Sequence, residues 1–365
     1  MPDAAAVSAL PRRRRFTLEI RQQVSLQREA AVLAIALLAG LIVAGLVLVA
    51  FGVPAESLAT EFAQTFFDQQ NLHAVLVQAA PMILIGLAAS LAFRIRFWNL
   101  GLEGQMIWGA IAATAISVYA VGPESMRLPL MFFSAGITGL LWVLGPALLK
   151  LRLGVNEIIS TLMLNYVASN FLLHLVYGAW KDPKDAFPHS PQFRVFERLP
   201  EFAEGVSSAI ALGLVLAIGA WWLTRVSRLG FYMRFVDANP RMSAAVGVPV
   251  RRTMLAAVLL SGAVGGIGGF VVAAGQEGRL TQDFFQGYGF SGILIAFLAR
   301  NHPLAAVIVA ILVAGLFVTG RTLQVFYQVP FSMVQLIQAI MVICVAGSEF
   351  FLRHRLRLPA VLART

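Results

Sequence analysis

The stretch that decides the fold is Ala30–Ala55, AAVLAIALLAGLIVAGLVLVAFGVPA, which contains no charged residue. A bilayer core is crossed by roughly 20 apolar residues of α-helix, so this stretch is long enough to span a membrane. Nine further uncharged stretches follow it: Gln69–Phe93, Gly104–Pro123, Leu128–Leu149, Ile158–Trp180, Gly205–Thr224, Thr253–Gln276, Phe284–Ala299, Asn301–Gly320 and Thr322–Ser348. The sequence therefore predicts an all-α, polytopic transmembrane bundle of about ten spans.

The composition and the distribution of charge agree with a membrane protein. Apolar residues make up 59% of the 365 positions and charged residues 13%, against about 25% charged in soluble domains. With ten crossings and the N-terminus inside, 21 of the 28 lysines and arginines lie on the cytoplasmic side, and 11 of the 18 acidic residues lie outside. This bias predicts that both termini are cytoplasmic. The net charge of +10 is then explained by basic ends that contact anionic membrane lipid rather than nucleic acid.

The predicted organisation has three parts. A basic cytoplasmic segment at 1–29 precedes a membrane domain at 30–349, and a basic cytoplasmic tail follows at 350–365. The longest outer loop, 181–205, separates five predicted spans from the next five. Because an odd number of spans inverts one half relative to the other, we expect an inverted repeat of two five-span halves.

Some segments predict departures from straight spans. Pro81 removes a backbone hydrogen bond, so we expect the second span to bend. Phe284–Ala299 is short for one crossing and is expected to be tilted, broken or re-entrant. Outside the first span, Leu58, Phe62 and Phe66 recur every four residues, which indicates a short helix lying in the membrane interface.

The first polar segment is FWNLGLEGQ, residues 97–105. Asn99, Glu103 and Gln105 place two amides and a carboxylate, with two glycines, at the predicted membrane edge. A carboxylate near the start of a helix is favoured by the helix dipole. The segment is either a capped turn between two spans or a re-entrant turn that lines a path. A second glycine-rich turn, Gln286–Gly292, precedes a span in the other half.

The second polar segment is GVNEIISTLMLNY, residues 154–166. Glu157, Thr161, Asn165 and Ser169 recur every four residues, so they lie along one slowly turning helix face. Polar side chains at this depth face other helices or water-filled cavities. The face therefore either makes interhelical hydrogen bonds or forms a polar stripe along a solute path.

The third segment is the cytoplasmic loop 225–252, with six arginines and one acidic residue. Within it, Asn239 is a favoured N-cap, Pro240 suits the first helical position, and Gly247 suits the exit. The small apolar face of this short helix consists of Met242, Ala245 and Val246. A helix of this length is unstable alone in water, so it packs either on its own spans or on a separate cytoplasmic protein.

Several classes of function lack support in the residues. None of the three lysines follows a glycine, so no P-loop is present and any ATP hydrolysis belongs to another subunit. The one cysteine, Cys344, and five scattered histidines predict neither a disulfide nor a metal site. A stand-alone secondary carrier needs buried charges for its coupling ion, and these are sparse. No set of catalytic residues in the sequence supports a membrane enzyme or an assembly scaffold.

The three segments resemble a known family. FWNLGLEGQMIWG, residues 97–109, resembles the "N-(I/L)-G-x-E-G-Q" signature of the permeases of bacterial ATP-binding cassette importers. Residues 154–166 are similar to the "G-V-N-E-x-I-x-T-L-M-L-N-Y" segment of the nucleoside and simple-sugar group, which is related to ribose and branched-chain amino acid permeases. Residues 228–248 resemble its segment ending "N-P-x-A-A-x-x-x-G", and 287–298 match a fourth block. The resemblance covers about residues 70–320.

The resemblance implies a permease subunit of the bacterial cytoplasmic membrane. Such a chain pairs with a second, homologous permease chain and receives solute from an extracytoplasmic binding protein. Separate ATPase subunits, which use ATP and Mg, dock on its cytoplasmic helices, and the permease itself is not an enzyme and holds no cofactor or metal. A nucleoside is the first choice of solute, a simple sugar the second and a branched-chain amino acid the third.

Two groups of site residues follow from these segments. The predicted substrate path comprises Asn99, Glu103, Gln105, Asn156, Glu157, Thr161, Asn165 and Tyr166. The predicted ATPase-coupling helix comprises Asn239, Pro240, Arg241, Met242, Ala245, Val246 and Gly247.

Overall fold

The computed structural model of the chain describes residues 17–20, 25–203, 206–285 and 287–357. Much of the predicted terminal segments, 1–29 and 350–365, therefore lies outside the described residues. The helices are α1 (Leu26–Ala50), α2 (Ala55–Phe67), α3 (Gln69–Phe93), α4 (Leu102–Val118), α5 (Glu124–Leu148), α6 (Glu157–Tyr177), α7 (Ala209–Arg225), α8 (Arg228–Ala238), α9 (Pro240–Ala245), α10 (Val250–Val272), α11 (Tyr288–Leu298), α12 (Pro303–Tyr327) and α13 (Phe331–Arg353). Four short strands accompany them: β1 (Thr17–Ile20), β2 (Glu201–Ala203), β3 (Val206–Ser207) and β4 (His354–Arg357).

Ten of these helices coincide with the predicted spans, namely α1, α3 to α7 and α10 to α13. Seven of the described helices are long and apolar enough to cross a membrane. The helices α4 and α11 are apolar but shorter, and α7 meets α8 at a bend of 66°. The described chain is therefore a polytopic helical bundle.

Two helices, α3 and α10, form the centre of the bundle. In its most apolar window α3 is 83% buried, and α10 is 67% buried. Glycines on α10 let neighbouring backbones approach closely: a Cβ at Gly266 would overlap the Ala135 carbonyl, and one at Gly269 would overlap the Met106 carbonyl. Small residues at helix contacts are typical of membrane bundles, because packing rather than the hydrophobic effect holds the helices together.

The elements around the first two spans only partly match the expectations. The predicted helix after the first span is α2, but it packs on the bundle: Phe66 fills the space beside Gly315, and the Thr65 and Thr319 hydroxyls lie 2.8 Å apart. The second span, α3, continues as one helix through Pro81, and the bend expected there stays a prediction.

The predicted outer loop is an ordered substructure rather than a plain connection. Within it, β2 and β3 pair as an antiparallel hairpin, and His189 bridges to Thr281. The buried carboxylate of Glu197 accepts a hydrogen bond from Arg127 at 3.0 Å. These contacts fix the segment between α6 and α7 to the end of the bundle.

The two ends of the described chain meet. Strand β1 pairs antiparallel with β4, with Thr17 opposite Arg357 and Ile20 opposite His354. Beside this ribbon, α1 packs along α13. Both ends therefore emerge on the same side of the bundle.

Candidate functional site

The chain between α3 and α4 turns back into the bundle before α4 begins. The side chain of Asn99 donates to Ser261 Oγ at 3.1 Å, and Ser261 donates to the Ala88 carbonyl at 2.6 Å. Ser261 lies about 16 Å along α10 from its start at Val250, taking 1.5 Å per residue. Helix α4 therefore starts inside the bundle, which explains its shortness.

Two predicted path residues, Asn99 and Gln105, hold this turn together. Their carboxamides exchange two hydrogen bonds, of 3.3 and 3.0 Å, and Asn99 Oδ1 also accepts from the Gly101 backbone at 3.1 Å. Both side chains are fully buried. Because buried amides are costly unless paired, these contacts stabilise the turn.

The N-terminal residues of α6 contact the same turn. Asn156 caps the helix by accepting from the Ile158 backbone at 2.9 Å. Glu157 pairs with Lys150 and accepts a longer hydrogen bond, 3.4 Å, from the Trp98 backbone. The helix start is thereby tied to both of its neighbouring segments.

Thr161 and Asn165 continue this contact into the bundle. Thr161 Oγ1 accepts from the Leu100 backbone at 3.2 Å. Asn165 accepts from the Gly104 backbone at 2.9 Å and donates to the Leu100 carbonyl at 2.8 Å. For these two residues, the structure contains the interhelical hydrogen bonds that the spacing left open as one alternative.

Glu103 has a different environment. Its carboxyl group lies against the start of α11, where a Cβ at Gly289 would come within 2.6 Å of Glu103 Cγ and 3.0 Å of Oε1. The N-termini of two short helices, α4 and α11, thus meet at this carboxylate, which the helix dipoles favour. A side chain at position 289 would therefore require the Glu103 side chain to move away from the start of α11.

A cavity of about 180 Å³ opens beside Glu103. Its polar lining comes from Glu103, Asn165, Tyr166 and Ser169. The apolar part comes from α11 and the segment before it, and from Leu100 and Leu162. This volume is below the ~300 Å³ at which small-molecule pockets begin, so the cavity holds a whole solute only if a further surface completes it.

A polar stripe runs along the exposed face of α6. Tyr166, Asn170, His174 and Tyr177 are all exposed, and α6 is the least buried of the seven candidate spans in the described residues, at 17%. Asn170 and His174 were not predicted from the sequence. The signal was present, because 166, 170 and 174 repeat the four-residue period of the predicted face one position further on.

The predicted cytoplasmic helix is α9. Asn239 Oδ1 accepts from the backbones of Arg241 and Met242 at 3.0 and 3.2 Å, and Pro240 occupies the first turn. Gly247 has φ +84°, as its predicted exit position requires.

The apolar face of α9 does not pack on the chain's own spans. Met242 is 65% exposed and Val246 is 68% exposed, and Ala245 is also exposed. Ser243 is buried and ties the helix to its cap by donating to the Asn239 carbonyl at 2.8 Å. A short, well-capped helix thus presents an apolar face that no described residue covers.

Comparisons with known proteins agree with this architecture. The family model for the permease component of the branched-chain amino acid transport system matches residues 71–346. The glucose ABC transporter permease protein TsgB13 of Haloferax volcanii is 36% identical over 334 residues, covering 88% of each chain. The guanosine ABC transporter permease protein NupP of Bacillus subtilis is 32% identical over 277 residues, covering 74% of this chain and 79% of the relative.

A third relative is the nucleoside ABC transporter permease protein NupB of Lactococcus lactis, which is 25% identical over 333 residues, covering 87% of this chain and 91% of the relative. The matched region contains every predicted path and coupling residue, from Asn99 to Gly247. The chain therefore belongs to the branched-chain amino acid transport system permease family, among relatives that are ABC transporter permeases for sugars and nucleosides.

Proposed function

We propose that this permease forms the membrane path of an ATP-driven importer in the bacterial cytoplasmic membrane, and that its solute is a nucleoside. Two of the relatives described above are named as permeases for guanosine or for nucleosides. The chain has no P-loop, so a partner ATPase supplies hydrolysis with ATP and Mg. The permease itself is a path and not an enzyme.

The observation that supports a solute path in this chain is the exposed polar stripe of α6. A lipid environment disfavours an amide and an imidazole on an uncovered helix face. Asn170 and His174 are therefore covered by a second permease chain or face the water-filled path between the two chains. Glu103, Asn165 and Tyr166 would join this path through the cavity beside them, with the second chain completing it.

A homologous second chain fits the relatives. Bacillus subtilis has two related guanosine permease proteins, NupP and NupQ, and Lactococcus lactis has two related nucleoside permease proteins, NupB and NupC. We therefore propose a heterodimer of permease chains in preference to a dimer of identical chains.

The proposed ten-span, inverted-repeat arrangement is supported by the way the halves interlock. In each half the second span is the most buried of the helices long enough to cross a membrane, as α3 and α10 are here. Helix α3 packs chiefly on α11 and α12 of the other half and on α10, and α10 packs chiefly on α4 and α5. The third span of each half is the short one, α4 or α11.

The exposed face of α9 is the proposed contact for the ATPase. Met242 and Val246 are large apolar side chains held in place by the Asn239 cap. A preorganised helix needs little further ordering on docking, which favours binding. On the opposite side, the ordered loop between α6 and α7 exposes Phe187 and Phe202, and we propose it as the landing surface for the extracytoplasmic solute-binding protein.

A simple sugar is the second candidate solute, because the glucose permease relative has the higher identity, 36% against 32%. The chain's own residues do not separate the two, since amides and a carboxylate hydrogen-bond sugar hydroxyls and nucleobases alike. A branched-chain amino acid is the third candidate, from the description of the family.

The test is uptake of labelled guanosine, uridine, glucose and ribose by a strain that lacks this gene, with and without the gene restored. Loss of nucleoside uptake alone is the expected result. Loss of sugar uptake alone would establish the second candidate, and unchanged uptake of every solute would reject both. Uptake that survives an inactive ATPase but stops when the ion gradient is collapsed would identify a secondary carrier instead.

A further inference from the structure

The segment before α11 runs from the predicted outer end of the bundle towards its middle. At the outer end, the Tyr177 hydroxyl at the end of α6 donates to Gln282 Oε1 at 2.9 Å. Phe285, three residues further on, lines the cavity of about 180 Å³ described above. Ser169 of α6 lines the same cavity, about 12 Å along the helix from Tyr177 at 1.5 Å per residue. Residues 278–285 therefore extend from the outer end to the cavity.

This segment closes the cavity on its predicted outer side with apolar side chains. Leu280 is fully buried, and Phe284 is 6% exposed. The rings of Phe284 and Phe285 lie edge to face, 5.8 Å apart. Apolar side chains offer a polar solute no hydrogen bonds, so they form a barrier to it. A solute that enters the cavity from outside must therefore displace this segment.

The loop between α6 and α7 holds the segment in this position. The Ser190 backbone donates to the Leu280 carbonyl, and the Leu280 backbone donates to Ser190 Oγ, both at 2.9 Å. The Phe193 backbone donates to the Gly278 carbonyl at 2.8 Å. Because these hydrogen bonds join the segment to a loop rather than to a helix, a shift of the loop would break them.

A chain of contacts leads from the surface of the loop to the same segment. The Phe187 side chain is exposed, and its backbone donates to Asp185 Oδ1 at 3.1 Å. Asp185 Oδ2 lies 2.8 Å from Nε2 of the buried His189. His189 in turn forms an antiparallel bridge with Thr281. A partner protein that binds at Phe187 therefore acts on a group that contacts the segment.

Glycines with left-handed backbone conformation lie at both ends of the segment. Gly278 has φ +63°, and Gly287, directly before α11, has φ +81°. Glycine adopts positive and negative φ with similar ease. The hinges of moving loops are a few terminal positions that absorb the change in φ and ψ. The segment thus has a suitable hinge residue at each end.

We propose that residues 278–285 form an outer lid over the cavity beside Glu103, and that residues 185–193 form the latch that holds this lid. The inference rests on the proposed import function. The extracytoplasmic binding protein docks at Phe187 and displaces the latch, the hydrogen bonds to the lid break, and the lid turns at its two glycines. The solute then passes from the binding protein into the cavity. When the binding protein leaves, the latch re-forms and closes the cavity against return of the solute.

The first test measures access to the cavity and needs no transported solute. Ser169→Cys in a Cys344→Ser chain gives a single cysteine on the cavity wall, and a membrane-impermeant methanethiosulfonate reagent is added outside intact cells. Asp185→Ala with His189→Ala should raise the labelling rate about tenfold, the effect of one lost hydrogen bond. Lys184→Ala is the matched control, because it changes an exposed residue of the same loop outside the latch, and it should not change the rate. Equal labelling rates with the altered and the intact latch would overturn the lid.

The second test locks the latch to the lid. His189→Cys with Thr281→Cys, again with Cys344→Ser, places two thiols on bridge partners, whose Cα separation of about 4.5–5.5 Å suits a disulfide. Uptake of labelled guanosine and of labelled glucose is measured after oxidation and again after reduction of the same cells. Uptake should be lost on oxidation and should return on reduction, because the lid opens only when the latch can release it.

The control pair is Glu201→Cys with Ser207→Cys, which are opposite residues of β2 and β3. A disulfide there joins two strands of the same loop and leaves the lid free, so uptake should not change on oxidation. Unchanged uptake by the oxidised lid pair would overturn the proposal, and failure of that pair to cross-link would contradict the contact itself. If the parent chain takes up neither solute, the proposed solutes are wrong, while the labelling rates still decide on the lid.

Discussion

Two polar faces of the same helix, α6, have opposite environments. Thr161 and Asn165 are paired with the turn before α4, at 3.2 Å for Thr161 and at 2.9 and 2.8 Å for Asn165. Asn170 and His174, on the adjoining face, are exposed. Both faces have the same four-residue spacing in the sequence. Asn170 donates to the Tyr166 carbonyl of its own helix, at 2.8 Å. The comparison teaches that periodicity locates polar faces, whereas hydrogen bonds to another segment distinguish a face that holds the fold from one that is available to a solute or a partner chain.

The largest expected effect tests the paired face. Asn165→Ala removes both hydrogen bonds and leaves the Gly104 N–H and the Leu100 carbonyl without partners. We expect a loss of about 2–3 kcal/mol in the free energy of unfolding, measured in detergent with denaturant. Asn170→Ala is the control on the exposed face and should change that free energy by less than about 0.5 kcal/mol. Equal destabilisation by both variants would remove the distinction between the faces.

The second prediction extends the comparison to α9, where the cap is paired and the apolar face is exposed. Met242→Asp with Val246→Asp should weaken association with the partner ATPase by about 2 kcal/mol, or roughly thirtyfold, because charge replaces the apolar contact. The measurement is co-purification and substrate-stimulated ATPase activity. Undiminished activity would mean that the ATPase docks elsewhere. The control, Val195→Asp, changes an exposed apolar residue of the loop between α6 and α7 and should leave ATPase association unchanged.

The third prediction concerns the exposed face of α6. Asn170→Leu with His174→Leu should lower solute uptake about tenfold, the effect of one lost hydrogen bond, without lowering the free energy of unfolding. Val167→Leu is the matched control, since it changes an exposed apolar residue of α6 between the polar positions. Normal uptake by the double variant would assign this face to lipid rather than to the path.

The smallest expected effect concerns a paired group outside the membrane. Burial of Glu197 opposes its ionisation, but hydrogen bonds from Ser117, the Arg194 backbone and Arg127 outweigh it and lower the pKa of its carboxyl. A lowered folded pKa stabilises the loop at pH values above the unfolded pKa of about 4.3, and this stabilisation is lost as pH falls below it.

Hydrogen exchange of the loop between α6 and α7 measures this effect. Protection should fall in the parent chain as the pH drops below about 4.3, and Glu197→Gln should show weaker protection at pH 7 with little further change on acidification. A parent loop equally protected at pH 3 and pH 7 would contradict the assignment.

Much of the bundle could be predicted from the chain. The uncharged stretches coincide with ten helices, and the cap, the first proline and the exit glycine of α9 were all found from Asn239, Pro240 and Gly247. These features are local, because burying a backbone in lipid or closing a helix turn depends on residues only a few positions apart.

The candidate site was harder to predict. Asn99 and Gln105 were expected to line a path, yet their amides pair with each other inside the bundle. Asn170 and His174 were missed, although they share the spacing of the predicted face. The rotation of α6 against α4 decides which of the two polar faces meets a neighbour. A local sequence pattern does not specify that rotation.

The linear order of residues was sufficient for the membrane-spanning class, for the positions of the helices and for the family, because these depend on hydrophobic length and short-range motifs. Two features required the tertiary structure: the meeting of α4 and α11 at Glu103, and the exposed stripe on α6. The first joins residues far apart in the chain, Glu103 and Gly289, and the second depends on how α6 is rotated against its neighbours. Such contacts arise from how the helices pack, and packing depends on the shapes of all the helices together.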